Sequence, residues 1–395
     1  MYVYQLPQPL LEDDGLTLEE KLISSICNDL FGLKFSYKDG KIEFENLTDF
    51  KSKDFIRNLM SPRKEEILFK NKDFIKKNIG FLKNNLAVGI DCLNSEIIPV
   101  IEVCETQKQR DLFKMLRLTW SSPYSEYVGR RIKLIIRDAG CAGYPVIGIA
   151  ALGSSIIRIP ERDNFIGWDR QTKNKNLIYC MDAYICGAIP PYSYLLGGKL
   201  ISYILASNEV REIFKKKYES QTTIINKRQS SDLAAIFTTS LYGISSQYNR
   251  IKYKDKLLYQ RIGQTKGYGT FQFSQTTNRL LKEYLFKKGK SVGYKFGEGP
   301  NYKFRFIKKA LDLLANHGFD SNILLNHSIK RDIYFIPLAE NTLQFLNGKD
   351  EKLLYFNFPM NNLVEYWRKR WLFSRKKNQE AINKAKTFTS DDFTI

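Results

Sequence analysis

The residues able to do chemistry gather in a few short stretches. In Met181–Ser207 an apolar run ends at Pro190-Pro191, and Leu195-Leu196-Gly197-Gly198-Lys199 then opens a segment of helical period. Gly197 and Gly198 would let a ligand approach the backbone, the unbonded amides of a helix start hold phosphate, and Lys199 adds charge. The competing reading is that the two glycines allow close helix–strand packing. A second stretch, Glu161 to Asp169, carries Glu161, Asp163 and Asp169, with Asp182 downstream. Carboxylates so grouped suit magnesium, but Arg162 and Arg170 interleave them in the manner of surface salt bridges, and no metal site is expected. A third stretch, Gly297 to Lys309, has Pro300 placed for a first helical turn, followed by Lys303, Arg305, Lys308 and Lys309. Donors and cations at a helix start can grip nucleic-acid phosphate. The fourth, Tyr366 to Lys377, sets Trp367 and Trp371 four residues apart among Arg368, Lys369, Arg370 and Arg375. Cations beside aromatic rings suit a single strand, although tryptophans so spaced can equally cap a core.

Composition narrows the chemistry. Histidine-centred acid–base catalysis has only His317 and His327 to draw on, and the six cysteines include no C-x-x-C pair. Zinc is therefore not expected, and the thiols read as free and buried in a cytoplasmic protein. Lysine and arginine number 62 against 42 acids, a net charge of +20 over 395 residues, which favours a polyanionic partner. Hydrophobic residues at 43% supply a core, and the chain is not read as disordered. The longest apolar stretch, Tyr144 to Ile157, is too short for a membrane span, so no membrane partner is expected.

Periodicity places these stretches on elements. Residues 1–115 read as mainly helical and basic, with a hairpin over Leu33–Phe44 turning at Lys38-Asp39-Gly40. Strands follow at Arg131–Arg137, Pro145–Ala151, Met181–Ile189, Leu233–Ser240, Tyr259–Ile262, Tyr268–Phe273 and Asp332–Leu338. Helices interleave at Arg170–Tyr179, Leu195–Ser207, Asn208–Glu219 and Ser246–Arg250. This order predicts an α/β (mixed α+β) layer, with a core over 116–290, a basic region over 291–375 packed on it, and a polar, frayed tail at 376–395.

From about residue 115 to 375 the chain resembles the DruA family of the Druantia anti-phage system. The likeness is carried by Tyr127-Val128-Gly129-Arg130-Arg131, Ile166-Gly167-Trp168-Asp169, Met181-Asp182-Ala183-Tyr184, Gly187-Ala188-Ile189-Pro190-Pro191-Tyr192, Thr238-Thr239-Ser240-Leu241-Tyr242-Gly243, Tyr248-Asn249-Arg250, Gly263-Gln264-Thr265-Lys266-Gly267 and Tyr366-Trp367-Arg368-Lys369-Arg370-Trp371. The resemblance implies a component of a multi-protein bacterial defence system that includes a large helicase-like protein. It assigns no reaction to this chain. With the charge excess, the expectation is a subunit that binds nucleic acid, DNA rather than RNA.

The unit running from Met181 through Lys199 to Tyr248 is also similar in order to the coenzyme A-binding unit of GNAT acyltransferases. That similarity implies a central GNAT-like mixed sheet flanked by helices, with helical N-terminal and C-terminal extensions. Gly197, Gly198 and Lys199 would face the cofactor, and Tyr248 would stand where those enzymes often carry a tyrosine acid. The R/Q-x-x-G-x-G/A signature is absent and no general base is evident. Acyl transfer by such a core, or a purely assembling subunit, are the alternatives to nucleic-acid binding.

Overall fold

The computed structural model describes residues 15–31, 35–38, 41–44, 53–122, 129–222, 227–228, 230–241, 243, 245–292, 302–326 and 329–393. The chain divides into two compact units, each discontinuous in sequence: Met1–Arg63 with Gly267–Ser328, and Lys64–Lys266 with Ile329–Ile395.

The larger unit is built on a seven-stranded mixed sheet. Its strands are β1 (Pro99–Val103), β2 (Arg131–Asp138), β3 (Val146–Ser154), β4 (Cys180–Ala188), β5 (Ala235–Thr239), β6 (Gln260–Gln264) and β7 (Asp332–Pro337). They lie in the order β6-β7-β5-β4-β3-β2-β1. All pairs are antiparallel except β4 with β5, which are parallel and matched only over Cys180–Asp182 and Ala235–Phe237. The apolar runs of β3, β4 and β5 reflect burial on both faces.

Helices cover each face. On one, α2 (Gly197–Leu205) sets Leu200, Ile201 and Ile204 against Leu134, Ile136, Ala150 and Leu152, and α3 (Asn208–Tyr218) adds Val210 and Phe214. On the other, α1 (Gln107–Leu118) packs Leu112, Phe113 and Leu116 on Ile135, Ile149 and Ala151. Each such side chain contributes about 1.5–3 kcal/mol by leaving water. Thr106 and Gln109 form a capping box that fixes the start of α1, and Ser207 caps α3.

The structure departs from the sequence reading at four places. Pro99–Val103, within the region read as mainly helical, is the outer strand β1, held by its ladder to β2. Tyr268–Phe273 forms no strand and contributes only a bridge from Tyr268 to Asn326. Ser246–Arg250 is a turn and not a helix. The tail is not frayed: Asn378 caps a helix, Gln379–Lys386, and Phe388 and Phe393 are buried against the α1 side of the core. The tail reads as polar because its helix buries only small residues, Ala381 and Ala385, which give little apolar signal. Ala385 lies so near Gly89 that a Cβ there would stand 1.8 Å from its carbonyl oxygen.

The smaller unit is mainly helical, with helices Leu18–Phe31, Gln275–Lys287 and Tyr302–Asp312 and the paired strands Phe35–Lys38 and Lys41–Phe44. The turn of that hairpin at Asp39-Gly40 lies outside the described residues. Asp29 ties the unit together, accepting from Arg63 at 2.7 Å, the Ser274 amide at 2.7 Å and the Thr277 hydroxyl at 2.6 Å.

One carboxylate joins three parts of the sheet in the larger unit. Asp138, wholly buried, accepts from the Ile98 amide at 2.8 Å, the Gly140 amide at 3.0 Å and the Tyr192 hydroxyl at 2.8 Å. Removing the carboxylate orphans all three donors. Asp138→Ala is expected to cost roughly 3–5 kcal/mol in urea unfolding, and Tyr192→Phe roughly 1–2 kcal/mol, because the latter removes one partner cleanly. Equal losses from the two would contradict this hub.

Candidate functional site

The site grows from the parallel strand pair. Beyond Asp182 and Phe237 the β4 and β5 backbones separate, and side chains satisfy the freed carbonyls of β4. The Thr238 hydroxyl donates to the Ala183 carbonyl at 2.8 Å. The Gln247 amide donates to the Cys186 carbonyl at 3.0 Å and reaches the Ser202 hydroxyl at 3.2 Å. The Ser245–Arg250 turn is thus seated in the opening between the strands.

Helix α2 starts against the same turn. Leu196 adopts a left-handed conformation, φ 61°, and the helix begins at Gly197. A Cβ on Gly197 would lie 2.7 Å from the Tyr192 carbonyl oxygen, and one on Gly198 3.0 Å from Gln247 Oε1. Both glycines therefore serve close packing within the chain. Lys199 is 7% exposed and spends its ammonium on the carbonyls of Ser246 at 2.7 Å, Asn249 at 3.1 Å and Gln247 at 3.3 Å. The residues present do not fit a coenzyme A pyrophosphate at this helix start, since Gln247 and the turn carbonyls already occupy it.

Tyr248 is also turned inward. It is buried, stacks on Tyr259 with centroids 5.4 Å apart, and meets Tyr334 edge-on at 5.2 Å. Burial, reinforced by Cys186, pushes its hydroxyl far above the usual phenol range. It keeps its proton within the core.

The charged side of the turn is different. Lys199 Nζ lies 4.1 Å from the centre of the Trp371 ring, and the Arg370 guanidinium lies 5.1 Å from the same centre. Arg250 follows the carbonyl of Asn249 that Lys199 holds, and it stands at φ 62°. Burial lowers the Lys199 pKa to about 8, with Arg250 and then Arg370 pushing the same way. Arg250 and Arg370 are exposed and form no ion pair among the described residues. In the sequence, Arg250 carries no signal beyond its place in the Tyr248-Asn249-Arg250 motif.

Other cations of the fourth stretch are already bound. Arg368 pairs with Glu96 at 2.8 Å and Glu365 at 3.2 Å and donates to the Ile97 carbonyl. Lys369 pairs with Glu365 at 3.1 Å, and Arg375 donates to the Tyr194 carbonyl at 2.8 Å. Residues Arg368–Leu372 form a π-turn after the helix α4 (Met360–Trp367). Trp367 is fully buried and donates to the Leu196 carbonyl at 3.2 Å, while Trp371 is half-buried and donates to the Tyr203 hydroxyl at 3.3 Å.

The third stretch lies in the smaller unit. Lys308 bonds Asp312 at 3.2 Å and the Ser321 hydroxyl at 2.9 Å, and Lys309 donates to the Ser291 carbonyl at 2.9 Å. Lys303 is exposed and Arg305 half-buried on the same helix. The Gly297–Pro300 start lies outside the described residues. The aspartates of the second stretch are engaged: Asp163 with Arg162 and Lys173, Asp169 as the cap of the next helix, and Asp182 with Ser155 and the Ile156 amide. No three metal-ligating side chains converge among the described residues, and none of their helices is long and apolar enough to cross a membrane.

The family model described as Druantia protein DruA matches residues 50–348. The chain belongs to the DruA family. It is 36% identical over 363 residues to the Druantia protein DruA of Escherichia coli strain UMEA 4076-1, covering 90% of this chain and 87% of that one. No solved structure matches.

Lys199 yields a pH test. Its pKa is 10.5 when unfolded and about 8 when folded. Between those values the unfolded chain binds the extra proton, so this residue makes stability rise with pH from about 8 to 10.5. Chemical denaturation across that window should show the rise in the parent relative to Lys199→Met. Parallel curves would refute the buried charge.

Proposed function

We propose that this protein is a component of Druantia anti-phage defence that binds nucleic acid, DNA rather than RNA, alongside a helicase-like partner. The defence role rests on family membership. The observation that carries the binding is the placement of Lys199 and Arg370 on one ring, Trp371, beside the exposed Arg250 of the turn that Lys199 holds. Grouped positive charge attracts phosphate, and the net charge of +20 extends that attraction over the molecule.

A GNAT-like plan for the sheet is the second reading. What supports it is the strand order with a single parallel pair, followed by the helix start at Gly197. The plan alone supplies no reaction, and the opening where a thioester would lie is filled by Gln247. Calorimetry should accordingly register no heat with millimolar acetyl-coenzyme A. Measurable binding that Gly198→Trp abolishes would restore the acyltransferase reading.

Salt dependence tests the leading proposal. Fluorescence anisotropy with labelled DNA should show log affinity falling linearly with log salt concentration. The double variant Arg250→Asn/Arg370→Ser should weaken binding for every sequence and reduce the slope by about 2, near one unit per lost phosphate contact. Asn tolerates the left-handed backbone at position 250. Affinity indifferent to salt, or a slope unchanged in the double variant, would overturn the proposal.

A further inference from the structure

We propose that Lys266, Lys330 and Arg331, at the open end of the β6–β7 strand pair, form a second phosphate-binding site in the larger unit. The phosphate comes from a polynucleotide backbone or from a free nucleotide, and the site does not depend on the group at Trp371.

The backbone brings the three cations together. Gln264 faces Asp332 at the end of the β6–β7 ladder, and the chains stay bonded one step further. There the Thr265 amide donates to the Arg331 carbonyl at 2.9 Å, and the Arg331 amide donates to the Thr265 hydroxyl at 3.1 Å. Lys266 follows Thr265 and Lys330 precedes Arg331, so one clamp carries all three. The Lys330 carbonyl also lies close to Gly243, on the loop that leaves β5, and the Gly243 carbonyl accepts from the Asp332 amide at 3.3 Å. Three strand ends therefore fix the backbone beneath these cations.

Arg331 carries the argument furthest. Its side chain is half-buried, and its Nε has almost no contact with water and no hydrogen-bond partner. The guanidinium has no ion pair among the described residues. Burial is the sole cause that lowers its pKa, with no neighbouring charge acting on it. A guanidinium taken from water without a counter-charge is costly, and a bound anion removes that cost.

The surrounding charge has the same sign. Lys266 and Lys330 are exposed and form no ion pair among the described residues. Like charges at one level of a ladder repel. The wholly buried Asp332 is engaged by Arg261 and Gln264, each at 2.9 Å. Glu161 lies against Gly263 and forms no ion pair with the three cations. A guanidinium is a planar fork that takes two phosphate oxygens, and the ammonium groups beside it add point charge.

The site is tested on the full chain with three probes. In inorganic phosphate the parent should melt higher than in chloride of equal ionic strength and pH, because an anion bound to the native state stabilises it. Arg331→Met should lose that rise while melting in chloride no lower than the parent, since it buries no unpaired charge. Lys266→Ser/Lys330→Ser, at exposed positions, should reduce the rise. A labelled oligonucleotide followed by anisotropy and ATP followed by calorimetry separate the two sources. For a backbone source, the double lysine variant lowers the salt slope of oligonucleotide binding by about 2. For a nucleotide source, ATP gives heat that Arg331→Met abolishes, at unchanged oligonucleotide affinity. A phosphate response equal in the parent and Arg331→Met would overturn the site. Arg331→Met melting well below the parent in chloride would also overturn it, by showing a cation that only holds the fold. Neither result touches the effect of Arg250→Asn/Arg370→Ser, so failure here and failure of the Trp371 group are told apart.

Discussion

A single ammonium buried between two elements organises this part of the molecule. Lys199 sits in the first turn of the helix that follows β4 and fastens the Ser245–Arg250 turn by three carbonyls. Without that fastening, the gap between β4 and β5 would expose carbonyls that no strand partner satisfies. Burying a cation is costly, as its lowered pKa records. The cost is offset by carbonyl dipoles and by the Trp371 ring, which faces the same ammonium.

The same geometry separates cations that build the fold from cations that face outward. Arg368 joins the C-terminal helix to the segment before β1 through Glu96 and the Ile97 carbonyl. Arg375 ties the following turn to Tyr194. Arg162 is wholly buried and holds Asp163 and the carbonyls of Ile156 and Ile157. A count of positive residues cannot make this separation, because a guanidinium does both jobs with one chemistry. Position 370 differs from position 368 only by where the π-turn points it.

The glycine pair shows how an arrangement suggestive of ligand binding can serve packing. Helix starts with small residues attract anions when their amides face open space. Here the chain supplies its own occupant, since Gln247 fills the approach and bonds across to Cys186 and Ser202. The central opening of the sheet is spent on internal hydrogen bonds. Chemistry follows from the occupants of such an opening and not from the order of strands.

The sequence by itself determined most strands of the sheet and the helices on it, because doubly buried strands and amphipathic helices leave strong periodic signals. Arg131–Asp138, Val146–Ser154, Cys180–Ala188, Ala235–Thr239 and Asp332–Pro337 were legible in this way. It also determined the family, through motifs spread over the middle and end of the chain. Tertiary structure decided the rest. Pro99–Val103 is a strand only because β2 lies beside it, and the tail is ordered because Ala385 fits against Gly89. Gly198, Lys199 and Tyr248 stand in one sequence unit, yet only the fold brings the first two against the turn that carries the third. Arg250 joined them unannounced, since a left-handed backbone and proximity across 50 residues leave no local trace in composition.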